Sequence, residues 1–107
     1  MMASIKVFAD MDEAARRLSV NRPQLLIVDG VRICLVLHDG KLSAVQDRCT
    51  HNGESLSKGT VNYIGEVVCP WHGHRFNLET GRESTERSQD LVTYPISNTP
   101  EGIFINL

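Results

Sequence analysis

The stretch VRICLVLHDGKLSAVQ, residues 31–46, decides the fold. Val31–Leu37 is aliphatic and β-branched, Asp39-Gly40 is a two-residue turn that hairpins favour, and Lys41–Gln46 resumes the strand pattern. One step upstream the arrangement repeats, with Gln24–Val28 joined to Val31 by Asp29-Gly30. Three consecutive strands joined by such turns form an antiparallel meander. Cys34 sits inside the Ile33–Leu37 run and is read as a small buried hydrophobe.

Outward from this meander, Ser4–Phe8 alternates as a further strand. Asp10 then opens a capping-box-like start with Glu13 three residues on. Met11, Ala14, Ala15 and Leu18 are expected on one face of the short helix that follows, which must stop by Pro23. Downstream, Leu91–Ile96 and Ile103–Asn106 are expected as strands joined by the turn-rich Ser97–Gly102. Between the two strand-rich parts, residues 47–77 are rich in Gly, Ser, Asn, His and Cys, and alternation fails apart from Gly65–Val68. The expectation is a single all-β domain over 1–107: an antiparallel sandwich, one short N-terminal helix, a framework over about 4–46 and 78–107, and a loop-rich insert over about 47–77.

A chain of 107 residues supports one modest core. Net charge is −2 with no basic stripe, which argues against nucleic acid. No stretch approaches the roughly 20 apolar residues of a membrane helix, and the start has no secretory pattern, so no membrane role and a cytoplasmic protein are expected. Three cysteines without an export signal do not suggest a disulfide framework.

Two of those cysteines lie beside histidines, in Cys49-Thr50-His51 and Cys69-Pro70-Trp71-His72, with seventeen residues between His51 and Cys69. Two loops each offering a thiolate and an imidazole suggest a metal centre. A structural zinc ion could use these four donors, but zinc pairs usually run like with like. A Cys-x-His pair is awkward on one tetrahedral ion and comfortable across two adjacent irons. Two cysteines on one iron and two histidines on the other is the arrangement of a Rieske [2Fe–2S] cluster.

The chain resembles the Rieske family on these residues. Cys49, His51, Gly53, Leu56 and Gly59 match the first-loop pattern Cys-x-His-x-Gly-x-x-Leu-x-x-Gly, and Cys69, His72 and Gly73 match Cys-x-x-His-Gly. The likeness extends into Phe76–Gly81 and covers roughly residues 24–107. It implies one [2Fe–2S] cluster held by Cys49, His51, Cys69 and His72. Leu56, Pro70 and Trp71 are expected to shield the cluster edge, Thr50 is read as a linker, and His38 as solvent-exposed. His74 is not a ligand position in the family, and no role is assigned to it. Asp29, Asp39 and Asp47 are read as turn and strand-end residues.

Departures from the respiratory branch are informative. That branch carries an extra disulfide where this chain has Glu54 and Trp71, and hydroxyl donors where it has His74 and Phe76. Fewer donors stabilise the reduced cluster less, so the resemblance implies a potential toward the low end of the roughly −150 to +300 mV Rieske range. No catalytic machinery is legible. The expected function is one-electron transfer between a flavin-dependent reductase and a terminal oxygenase, without catalysis by this chain. The rival is the Rieske-like small subunit of an assimilatory nitrite reductase, whose partner is the reductase large subunit.

Overall fold

Asp29-Gly30 and Asp39-Gly40 both place two successive residues at positive φ (50° and 77°, then 53° and 73°), the geometry whose twist suits two-residue hairpins. They join β-strands that the computed structural model, which describes residues 3–71 and 73–107, places as expected. In chain order the elements are β1 (Ser4–Phe8), α1 (Met11–Arg17), β2 (Gln24–Val28), β3 (Val31–His38), β4 (Lys41–Gln46), a 3-10 turn (Leu56–Lys58), β5 (Thr60–Val61), β6 (Glu66–Val68), β7 (Arg75–Asn77), β8 (Ile96–Thr99) and β9 (Gly102–Asn106). They form three antiparallel sheets, ordered β1-β9-β8, β2-β3-β4 and β5-β6-β7. The fold is the small all-β architecture expected, with one short helix.

The continuous apolar run of β3 has a direct cause. Ile33, Leu35 and Leu37 pack with Phe8, Ala14, Leu18, Ile103 and Ile105. Cys34 and Val36, on the opposite face, pack with Val45, Leu56, Val67 and Phe76. Strand β3 is therefore a wall shared by two cores, and both of its faces must be apolar. Each fully buried aliphatic side chain there stabilises the fold by about 1.5–3 kcal/mol. The second core also contains Cys49 and Cys69, so the insert is packed onto the framework through β3.

Helix α1 starts as its sequence dictates. The Asp10 carboxylate accepts from the Glu13 amide at 2.9 Å, and the Glu13 carboxylate accepts from the Ala9 amide at 3.0 Å. Ala14 and Leu18 are buried, but Ala15 is exposed, because the seven-residue helix presents only a narrow stripe to the core.

Two expectations need correction. Leu91–Ile96 is not a strand; only Ile96 belongs to one, and β8 continues through part of the segment read as turn. Residues 92–94 are instead held to the β4 edge by Gln46 N–H to Val92 O (2.8 Å) and Tyr94 N–H to Ala44 O (2.8 Å). The side chain of Gln46 takes the Val92 amide at 2.7 Å, and Pro95 has no amide to continue a ladder. The insert, read as loops around a single strand, contains a three-stranded sheet of its own. Its strands of two or three residues are too short to show a period. Among the described residues, no helix is long and apolar enough to cross a membrane.

Candidate metal centre

A hydrogen bond from the cysteine amide spans each of the two loops. The Cys49 amide donates to Glu54 O at 2.9 Å, and the Cys69 amide donates to His74 O at 2.8 Å. Both cysteine side chains are buried, 3% and 1% exposed, and their thiols lie within hydrogen-bonding reach of each other without forming a disulfide. His51 is exposed at the surface. His72 lies outside the described residues. Among the described residues no three His, Cys, Asp or Glu side chains converge as a metal site.

The loops are brought together by backbone. Gly59 packs so closely under β6 that a Cβ there would lie 1.9 Å from the Val68 carbonyl oxygen. Only glycine fits, and this contact sets the end of the first loop against the strand leading into the second. Across the gap, the Asn52 amide group donates to the Trp71 carbonyl at 3.3 Å and reaches the Cys69 sulfur at 3.7 Å, while its Oδ1 accepts from the Glu54 amide at 2.9 Å. Asn52 thus braces both loops and supplies a donor to one thiol. Sequence reasoning passed over it, because an asparagine in a polar loop is unremarkable until its partners are known.

Burial pushes the Cys69 thiol up, the neighbouring Cys49 adds to this, and the Trp71 amide and Asn52 act in the opposite sense. Cys34 lies under the same loops in β3, where burial and then the Asp47 charge push its thiol up to about 12. It stays protonated near neutral pH, in line with the reading of a buried hydrophobe.

Asp47 proves to be more than a strand-end residue. It is 1% exposed, accepts from the Ser55 hydroxyl and from the Ser57 amide at 2.8 Å, and faces the Arg32 guanidinium at 3.4 Å. Burial alone would raise its carboxyl, but the serine donors and Arg32 outweigh that and hold it below the usual range. The far end of the first loop is therefore tied back to its beginning. Thr50, read as a linker, donates its hydroxyl to Gln89 O at 2.6 Å.

The shielding residues divide. Leu56 is fully buried in the core that contains both cysteines, as is Phe76. Trp71 is 55% exposed and Pro70 is exposed as well, so neither is sealed into the core. His38 is half-buried rather than exposed, donating from Nδ1 to Asn21 Oδ1 at 2.6 Å. His74, given no role from sequence, stacks on His51 with ring centroids 3.9 Å apart.

Comparison with known proteins agrees with this picture. The family model described as the Rieske [2Fe-2S] domain matches residues 10–95. The 3-phenylpropionate/cinnamic acid dioxygenase ferredoxin subunit of Photorhabdus laumondii is 37% identical over 76 residues, 70% of this chain and 72% of that one. By structure, the chain is similar to the ferredoxin of carbazole 1,9a-dioxygenase from Nocardioides aromaticivorans (TM-score 0.80, 22% identity, 96% of both chains). It is also similar to a putative NADH-dependent nitrite reductase small subunit from Mycobacterium tuberculosis (TM-score 0.82, 24% identity, 100% of this chain and 96% of that one). These two likenesses establish the fold.

Proposed function

Because this chain belongs to the Rieske [2Fe–2S] domain family, we propose that it is a one-electron carrier, passing electrons from a flavin-dependent reductase to the terminal oxygenase of a dioxygenase system. In this reading it works in the cytoplasm and carries no catalytic site of its own. Cys49 and Cys69 would hold one iron of a single cluster, and His51 and His72 the other. When bound, the cluster supplies a centre that takes up and returns one electron.

The observation that carries the proposal is the pairing of two buried, adjacent thiols at the ends of two loops closed in the same way. The donor set fits the cluster: the thiols come from separate loops, and each loop has a histidine two or three positions on. Leu56, Val67 and Phe76 exclude water from the cysteine side. Asn52 and the Trp71 amide point donors at the Cys69 sulfur, where negative charge would reside. His51, at the surface, offers the short path by which an electron could leave.

A relative 37% identical by sequence is a dioxygenase ferredoxin subunit, which favours the carrier role; the nitrite reductase reading draws on a fold likeness at 24% identity. Purified protein should contain two irons and two inorganic sulfides per chain. Reduced, it should re-oxidise on mixing with a dioxygenase oxygenase component and not with a sirohaem reductase. One zinc without sulfide would refute the cluster, and the reverse partner preference would refute the carrier role.

A further inference from the structure

The exposed side of the site has a support that the ligand pattern does not contain. His74 lies flat over His51, with ring centroids 3.9 Å apart and planes 17° from parallel. Its side chain is only 12% exposed, and it is held from behind. Ser88 Oγ lies 3.3 Å from Nδ1, and the Glu83 carboxylate lies 3.7 Å from the same nitrogen.

Glu83 is itself fixed. It is 2% exposed and accepts from the Thr85 amide (2.6 Å), the Thr85 hydroxyl (2.6 Å), the Arg87 amide (3.1 Å) and the Ser84 hydroxyl (3.2 Å). The turn over 83–88 is thus built around one carboxylate, and its outer side meets His74. A rigid line runs from that turn through His74 to the face of His51.

This matters because the two sides of the site are held differently. The cysteines are fixed by the core around them. His51 lies at the surface, where the orientation of an imidazole about its two side-chain bonds is set by the groups that touch it, the His74 ring among them. A flat, nearly parallel ring limits that orientation and covers one face from water, at favourable stacking distance.

Building on the assignment of His51 as a ligand, we propose that His74 is its positioning residue: hydrogen-bonded to Ser88 and packed beside the Glu83 carboxylate, it holds the His51 imidazole in one orientation and closes one of its faces. The role belongs to a flat ring in that place, so phenylalanine can substitute for it and alanine cannot.

The test uses cluster-loaded wild type, His74→Ala, His74→Phe and Glu83→Gln. Two quantities are read: the rate of cluster loss to a chelator by visible absorbance, and the histidine nitrogen couplings of the reduced cluster by electron–nuclear double resonance. Removing a supporting partner typically weakens a metal site by about 10–100-fold, so His74→Ala should lose its cluster about tenfold faster. Its nitrogen couplings should broaden. His74→Phe should restore both toward wild type, and Glu83→Gln should shift both slightly in the direction of His74→Ala. Unchanged loss rate and couplings in His74→Ala, or a His74→Phe variant as impaired as His74→Ala, would overturn the proposal. A wild-type cluster without histidine couplings would instead overturn the ligand assignment on which it rests.

Discussion

Replacing Asp47 by asparagine removes one charge with almost no change in volume, and the structure fixes what that should cost. The carboxylate accepts from the Ser55 hydroxyl and the Ser57 amide, and Arg32 stands 3.4 Å away. Hydrogen bonds to a charged group contribute about 1.5–3 kcal/mol, against about 0.5–1.5 for neutral ones, so each of the two bonds should weaken by about 1 kcal/mol. The Arg32 side chain is 37% exposed, and its screened attraction adds about 0.5 kcal/mol or less. The asparagine variant should therefore be about 2 kcal/mol less stable, a large share of the roughly 5–15 kcal/mol of a small domain. Urea unfolding followed by circular dichroism reads this as a midpoint lower by about 1 M. The pH dependence carries a sign. The folded-state pKa of Asp47 is lowered, so its stabilisation is complete above the unfolded value of about 3.9 and is lost as pH falls through the folded value. The gap between wild type and variant should be constant from about pH 5 to 8 and should close only below about pH 4. A difference under about 0.5 kcal/mol, within the range of ordinary surface substitutions, would refute the reasoning. So would a gap that closes between pH 8 and 6, since another group would then be responsible.

Other outcomes follow from the same geometry. Cys49→Ser, Cys69→Ser, His51→Ala and His72→Ala should each abolish stable cluster assembly, whereas Cys34→Ser should keep full iron and sulfide by metal analysis, its thiol being protonated and buried. Gly59→Ala forces a Cβ toward the Val68 carbonyl and should destabilise the protein by about 1–3 kcal/mol, with reduced iron occupancy; a fully loaded variant of wild-type stability would show that the loop contact is dispensable. The midpoint potential of the wild type should be low and nearly flat from about pH 6 to 8, because only a redox-linked deprotonation gives it a slope. Phe76→Tyr should raise that potential on voltammetry, since Phe76 is fully buried in the core that contains both cysteines and a new hydroxyl there has sulfur to bond; an unchanged potential in a folded variant would place the hydroxyl elsewhere.

The parts of this molecule that could be read from its sequence are those decided over a few neighbouring residues. Asp-Gly turns require no knowledge of the rest of the chain, and the hairpins around β3 stand where they were expected. The helix cap is equally local. The failures are residues whose state is settled at long range. Gln46 takes the Val92 amide with its side chain, and nothing near position 92 announces that. The insert sheet exists because β6 has partners on both sides, not because its short strands prefer to be extended.

The site divides along the same line, and the division has a functional logic. Candidate ligands are proposed from identity and spacing, whereas the residues packed around them carry no such signal. Asp47, Asn52, Glu83 and His74 look like ordinary polar loop residues until pairing brings 52 to 69, and 83 to 74 to 51. An electron carrier needs two opposed things from such a site. One side must be dry and rigid, so that little rearranges when charge arrives. The other must reach the surface, so that the electron has somewhere to go. Burying every donor would protect such a centre and strand the electron; exposing every donor would invite water to compete for the metal. Here the thiols are sunk into the core behind β3 while His51 lies at the surface with a second ring stacked on it. The stacked ring of His74, backed by a carboxylate folded into its own turn, is suited to steady the surface side in the way the core steadies the thiols.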